Sequence, residues 1–320
     1  MNKRSKIWLI AGAFLIVVGA IAFAAAMSAC DWNFTKPNTK QYETVTYAVN
    51  ENFSDISIDA DSADIFFVPS EDGECKVICD EEATTKHSVA VMDGKLCIAD
   101  VYTGKWYEHI RKAFENTKIT VCLPQEEYGA LSITADTGDL KIPDYFKFEG
   151  ITISASTGDV TSFASAYGPI SVNCSTGDIR IEGVSAGALE LSVSTGTITV
   201  SDTTCSGDIS VYVSSGRVSI SDAECQNIIS GGNTGDISLT NVIAAELFSV
   251  KRGTGDVTLD GCDAAEVFIT TDTGDVMGSF VTDKVFITQT NTGDVDVPHT
   301  TTGGKCEIRT DTGDIKIKIG

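Results

Sequence analysis

From residue 131 onward, apolar residues recur two apart in short runs, and the runs repeat every 19 or 20 residues. Each period carries one Thr-Gly-Asp tripeptide or a close variant, centred on Gly138, Gly158, Gly177, Gly196, Gly216, Gly235, Gly255, Gly274, Gly293 and Gly313. Two places after each glycine the residue is always aliphatic: Leu140, Val160, Ile179, Ile198, Val218, Ile237, Val257, Val276, Val295 and Ile315. Seven places before it the residue is always apolar, from Leu131 to Cys306, and five places before it eight of ten are apolar. Position +4 is mostly aliphatic, as in Ile142, Ile181, Val200 and Ile317. Steps of two predict short strands with one inward face. A single period buries almost nothing, but stacked periods turn these positions into continuous internal ladders. The prediction is an all-β fold, a β-solenoid of 19–20-residue two-strand coils stacked in parallel over residues 131–320. Propeller blades need about 40–50 residues, and the Leu/Asn signature of leucine-rich repeats is missing.

The tripeptide reads as the corner of each coil. Glycine supplies the positive φ of a tight turn, and Thr and Asp side chains hydrogen-bond turn backbone. Stacking makes columns of them about 4.8 Å apart. The Asp column repels itself unless solvated, splayed or neutralised. Thr197 and Arg217 replace Asp in the fourth and fifth coils, and Arg217 is placed to relieve that repulsion. Calcium is the competing reading of the column, since it takes six to eight oxygen ligands. The dense nonapeptide of calcium-binding rolls is absent, which favours the structural turn. In the ninth coil Val285 and Ile287 look like the inward pair around Phe286, which predicts a one-residue bulge before Gly293. Lys316 and Lys318 alternate with isoleucines in the last strand, as on an exposed edge guarded against association.

Residues 42–130 form an irregular β region that starts and caps the solenoid. Phe53–Ile65 (FSDISIDADSADI) resembles a degenerate coil, with Ser62-Ala63-Asp64-Ile65 standing where Thr-Gly-Asp-Ile stands later. Strand-like runs follow at 75–79, 88–92, 95–99 and 118–123, and Asp93-Gly94 is a two-residue hairpin signal. Trp106, Ile110 and Phe114 recur every four residues and predict one or two helical turns. That aromatic face reads as cover for the β core or, in the sharper reading, as a membrane or partner contact.

Before this, residues 1–6 carry Lys3, Arg4 and Lys6 as a cytoplasmic tail, and residues 7–29 hold no charge. At 1.5 Å per residue that run is roughly 34 Å long, enough for a transmembrane helix in the lipid bilayer. Positive charge ahead of the span places the rest of the chain outside the cytoplasm. Residues 30–41 are a polar linker. Two rivals stand beside the uncleaved anchor. One is a cleaved signal peptide, whose apolar run is usually shorter. The other is a lipoprotein, with Met27-Ser28-Ala29-Cys30 as a lipobox.

Charge and cysteines narrow the function. The net charge is −22, which excludes nucleic-acid binding, because phosphates require Lys/Arg stripes. Ten cysteines occur without a CxxC pair and with three histidines, a poor zinc signature. Cys205 and Cys225 lie nine residues after successive corner glycines, so stacking puts them within disulfide reach. The alternative is that they are small buried hydrophobes. No residue stands out as catalytic, cofactor-binding or metal-ligating.

The FSDISIDADSADI opening, the insertion around Trp106, the strand Ile119–Pro124 and the serial STGDI/DTGDI turns together resemble the putative-adhesin family of bacterial β-strand repeat proteins, domain of unknown function 4097. The resemblance covers residues 53–320. It implies a β-solenoid on the outer face of the cytoplasmic membrane and brings no catalytic residues. The expected function is a non-enzymatic adhesin or scaffold of the cell envelope with a protein or cell-wall partner. An accessory to envelope-stress sensing and, more remotely, a carbohydrate-active enzyme are the alternatives.

Overall fold

The inward-facing positions of the repeat are buried as columns. In the computed structural model, which describes Gly19 and residues 43–81, 85–102 and 117–320, positions −7, −5, +2 and +4 form an all-β parallel solenoid core. The tail, span and linker expected at residues 1–41 and the helical turns expected around Trp106 lie outside the described residues. Among the described residues no helix is long and apolar enough to cross a membrane.

The coils from Gly177 to Gly255 contain a third inward segment, which corrects the two-strand expectation. In the Gly177 coil the strands are Pro169–Thr176, Ile179–Glu182 and Ser185–Ala186. The extra segment buries positions +7 (Val184, Thr203, Ala223, Val242, Cys262) and +9 (Ala186, Cys205, Cys225, Ala244, Ala264). These side chains are small, so their alternation is faint beside the aliphatic columns. A second corner precedes the segment at +6, where Gly183, Asp202, Asp222, Asn241 and Gly261 have φ of 50–67°. Asp, Asn and Gly are the residues that tolerate this left-handed conformation.

The first corner demands glycine for two reasons. Gly216 has φ 141°, and a Cβ there would lie 1.8 Å from the carbonyl oxygen of Gly196 in the coil below. The stack therefore closes at this edge only where side chains are missing.

The two ends are built differently. Asp55–Pro69 is the first coil, with Ser62 beside Thr137 and Ile65 beside Leu140 in parallel register. On its other side it pairs in parallel with Lys95–Tyr102 and Thr117–Leu123. Beyond these, direction reverses. Thr85–Met92 pairs antiparallel with Lys95–Tyr102 through the Asp93-Gly94 turn, whose φ values are 51° and 74°. Cys75–Glu81 pairs antiparallel with Thr117–Leu123, and Glu43–Val49 pairs antiparallel with Cys75–Glu81.

At the other end the last two coils exchange places. Glu266–Thr273 pairs with Gly304–Thr312, which pairs on its far side with Lys284–Thr292. The Gly313 coil thus sits between the Gly274 and Gly293 coils. The corners agree: Gly274 donates to Thr312 O at 2.9 Å, and Gly313 to Thr292 O at 2.9 Å. The start of the final strand, Ile315 and Lys316, is therefore interior, paired with Val276–Met277 and with Val295–Asp296, while Ile317–Ile319 pairs on one side only, so the expected edge holds at Lys318 and not at Lys316. The bulge is also absent. Phe286 pairs with Cys306 and Thr288 with Ile308 without a register shift, so Phe286 turns toward the core while Val285 and Ile287 face out.

Side-chain chemistry accounts for the exchange. The inserted coil offers Ile308, Ile315 and Ile317 to the core, where they are 0–3% exposed. The displaced coil offers Thr288, Val295 and Val297 at the same positions, and Val295 is 45% exposed. Burying the larger aliphatics on both sides gains about 25 cal/mol per Å² of apolar surface, so the greasier coil takes the doubly covered place.

Candidate functional site

The tripeptide column is a hydrogen-bonded seam. Each corner Asp except that of the outermost coil, Asp294, accepts through Oδ1 the backbone N–H of the equivalent residue in the next coil. Among the described residues eight such bonds run at 2.7–3.1 Å, from Asp64–Asp139 to Asp314–Asp294. Self-repulsion is offset because each carboxylate serves an amide that stacking leaves at the corner. The seam breaks after Thr197 and Arg217, which have no carboxylate. Among the described residues no group of three or more His, Cys, Asp or Glu is arranged to hold a metal ion.

Behind the corner, the side chain at −3 caps the glycine carbonyls. Thr290 Oγ1 donates to Gly313 O at 2.9 Å and Thr310 Oγ1 to Gly274 O at 3.1 Å. In the Gly255 coil this position is Arg252, only 1% exposed. Its guanidinium donates to Gly235 O (2.7 Å), Val213 O (2.8 Å) and Gly216 O (3.1 Å). Gly232 makes the room, since a Cβ there would lie 1.8 Å from Arg252 Nη1. Arg252 is thus a core cross-brace. Burial lowers its pKa, countered by nearby Asp236.

The nine described cysteines are free thiols, and seven are buried. Cys205 and Cys225 stack as the spacing predicts, but neither forms a disulfide. Burial pushes Cys205 up to about 11, and burial together with Cys205 pushes Cys225 up to about 12. Such thiols behave as small hydrophobes rather than nucleophiles.

Two polar clusters outside the repeat pattern remain. The first knits the antiparallel end. Glu81, 2% exposed, accepts from Tyr47 Oη (2.5 Å) and from the His87 backbone N–H (3.0 Å), and pairs with Lys86 Nζ (3.0 Å). The His87 ring lies between Glu81 Oε1 (3.5 Å) and Asp100 Oδ1 (3.2 Å), and Asp100 Oδ2 accepts the Asp61 N–H (2.9 Å). Burial pushes the Glu81 carboxyl upward, but the Tyr47, His87 and Lys86 donors outweigh it and hold the group below its ordinary value. Burial and the Glu81 contact raise the Tyr47 phenol. The cluster joins strands 43–49, 75–81, 85–92 and 95–102 and serves as a clamp.

The second cluster floors a cleft at the exchanged end. Lys284, 2% exposed, is bonded through Nζ to Asp263 Oδ1 and to Thr282 Oγ1 at 2.7 Å. Asp263 Oδ1 also accepts from the Ala264 N–H (2.8 Å) and Thr282 Oγ1 (3.0 Å). The cleft holds about 710 Å³ and is walled largely by Ile243, Ala264, Ala265, Val281 and Gly303. Val281 is 52% and Ile243 39% exposed, and Val285, Ile287 and Val295 are exposed on the coil beyond. This end therefore combines an apolar recess, a buried ion pair and an uncovered coil, the features expected of a docking site. Sequence reasoning passed over Asp263 and Lys284 because neither sits in a motif. Their separation of 21 residues, about one coil, was the available signal.

Twelve solved chains match. Among them are a putative adhesin from Bacteroides fragilis NCTC 9343 (16% identity, 88% of this chain and 98% of that one, TM-score 0.38) and a putative lipid binding protein from Parabacteroides distasonis ATCC 8503 (15% identity, 87% and 98%, TM-score 0.41). A putative adhesin from the latter organism also matches (14% identity, 87% and 98%, TM-score 0.40). No curated protein matches. The family model for Toastrack DUF4097 matches residues 53–211 and 197–320, and the chain belongs to that family.

Proposed function

We propose that the protein is a non-enzymatic, adhesin-like scaffold of the cell envelope. Residues 7–29 anchor it in the cytoplasmic membrane, residues 1–6 remain inside, and residues 42–320 extend outside. A partner docks at the exchanged end of the stack. The observation that supports this reading is where the apolar surface lies. Val281, which lines the 710 Å³ cleft, and Val285, Ile287 and Val295 on the outermost coil are each at least 36% exposed. The chain enters the stack at the opposite end, some ten coil steps or roughly 48 Å away. Glu81, Arg252 and Lys284, buried and ionisable, each bond groups on neighbouring segments, which fits a scaffold better than a reaction centre.

The test uses intact cells producing the full chain with a photo-crosslinking residue at Val281 or, as control, at Tyr212 on the flank. The expected result is a discrete adduct from position 281 and none from position 212. Protease added outside should digest residues 42–320 and leave the anchor in the membrane fraction. Full protection from protease overturns the topology, and equal labelling at both positions overturns the docking site.

A further inference from the structure

The donors that reach the Asp263 carboxylate all land on one oxygen. Lys284 Nζ, Thr282 Oγ1 and the Ala264 N–H each bond Oδ1. Among the described residues no donor reaches Oδ2. Asp263 lines the cleft at the exchanged end and is 9% exposed, so the part of it left open faces that recess. Three bonds on the sibling oxygen fix Oδ2 in place before any ligand arrives, which lowers the cost of binding one.

Charge and shape select the occupant. Asp263 and Asp283 line the cleft against Lys284 alone, which leaves one negative charge uncompensated, and the whole chain carries −22. An acidic surface is repelled there and a cation is drawn in. The walls at Ile243, Ala244, Ala264, Ala265 and Val281 are apolar and suit a methylene stem. Lysine and arginine both lay such a stem along apolar surface and keep the charged head on a polar group. The single open oxygen separates them. A guanidinium fork is matched by both oxygens of a carboxylate, and Oδ1 is already taken by three donors. A compact ammonium needs only one oxygen and can turn its other protons to water at the open mouth.

We propose that the cleft receives a lysine side chain of a basic partner polypeptide, with its methylenes against the alanine and valine walls and its ammonium on Asp263 Oδ2. Asp263 then lies between two ammoniums, with Asp283 balancing the second. That the lysine belongs to a docking partner rests on the reading given under the proposed function.

The test uses full-length chain in detergent micelles and a blocked photoreactive peptide with one lysine among alanines. Its twins carry arginine or Nε-acetyl-lysine in place of the lysine. Adducts are located by mass spectrometry of the digested chain, and their yield is followed against peptide concentration. The lysine peptide is expected to mark residues 243–245, 263–265 or 281–284. It should do so at concentrations roughly tenfold below the acetyl-lysine twin and roughly threefold below the arginine twin. The arginine twin carries the same charge, so general attraction to an acidic chain cancels between the two. Asp263→Asn keeps an oxygen for the three donors and turns an amide donor toward the cleft, so labelling should weaken at least roughly tenfold. Ala265→Trp fills the recess from an exposed wall position, and should block labelling with the melting temperature unchanged even where Asp263→Asn fails to fold. Adducts spread along the flanks, equal labelling by either twin, or undiminished labelling of a folded variant overturns the proposal. An adduct from position 281 in intact cells without a preference for the lysine peptide removes the lysine and leaves the docking site. A lysine preference without that adduct removes the docking partner and leaves the chemistry of the cleft.

Discussion

The two ends of the solenoid face the same problem and solve it in different ways. A stack of parallel coils must stop without leaving a sticky edge. The first end reverses strand direction and ties the added strands together with Glu81, His87, Asp100 and Tyr47. The last end adds no new strand type. It tucks the Gly313 coil behind the Gly293 coil and leaves the less aliphatic one outside. The first solution ends the repeat, and the second keeps an extendable edge. A dedicated clamp closes the first end, whereas the outer coil leaves Phe286 and Thr288 only half-buried at the last.

The largest effect expected from this difference concerns Gly313 and Gly293. A Cβ on either meets a carbonyl oxygen at 2.1 Å, Gly274 O or Gly313 O respectively, at φ near 150°. Gly313 is held between two coils and cannot retreat, so Gly313→Ala should cost roughly 3–5 kcal/mol in denaturant unfolding. Gly293 carries only its own outer coil, so Gly293→Ala should cost roughly 1–2 kcal/mol, with loss of amide protection confined to residues 284–296. Equal costs would contradict the exchanged order.

Next in size are the two buried polar clusters. Glu81→Ala strips partners from the Tyr47 hydroxyl, the His87 amide and Lys86 at once, and should destabilise by about 3 kcal/mol. Asp263→Ala leaves Lys284 unpaired, but the cleft beside it lets water reach the ammonium, so about 1–2 kcal/mol is expected. Denaturation of both variants, followed on full-length chain, checks the ranking. The reverse ranking would mean that the exchanged end, and not the clamp, is the tighter terminus.

Acid separates the ends by another route. Glu81 is held below its ordinary 4.5 when folded, so it binds protons more weakly in the folded than in the unfolded chain. Its stabilisation is complete above about 4.5 and is lost as pH falls through the lower folded value. Hydrogen exchange below that point should show residues 43–49 and 75–81 opening before the Gly177–Gly255 coils. Glu81→Gln should remove this order.

Much of the scaffold was readable because the columns at −7, −5, +2 and +4 hold large aliphatics, whose period survives one glance along the chain. Of the +7 and +9 columns only the stacking of Cys205 and Cys225 was legible, because Thr203, Ala223 and Ala244 look like turn residues until stacking buries them. The coil exchange was unreadable for a different reason. The Gly293 and Gly313 coils share one register, so periodicity predicts that each stacks but not in which order. The contrast between Thr288 and Ile308 held the answer, yet it becomes informative only once one place is known to be covered on both sides. The clamp was hidden because its members come from four strands, and Asp263 with Lys284 because their meeting depends on coil stacking.

That contrast yields the smallest and most diagnostic expectation. Thr288 occupies the −5 column, where Ile269 and Ile308 are fully buried in the coils behind it. The outer coil is half-buried there, so a hydroxyl still reaches water. Thr288→Val keeps the shape and the β-branch but replaces the hydroxyl with a methyl, adding apolar contact with Ile308 across the pair. A gain of roughly 0.5 kcal/mol in denaturant midpoint is expected for an end that stays exposed. The reverse swap in the covered coil, Ile308→Thr, should cost roughly 2 kcal/mol, because its hydroxyl is shut away from water. A cost at Ile308 no larger than the gain at Thr288 would argue that the two coils are covered alike, and would tell against the exchanged order.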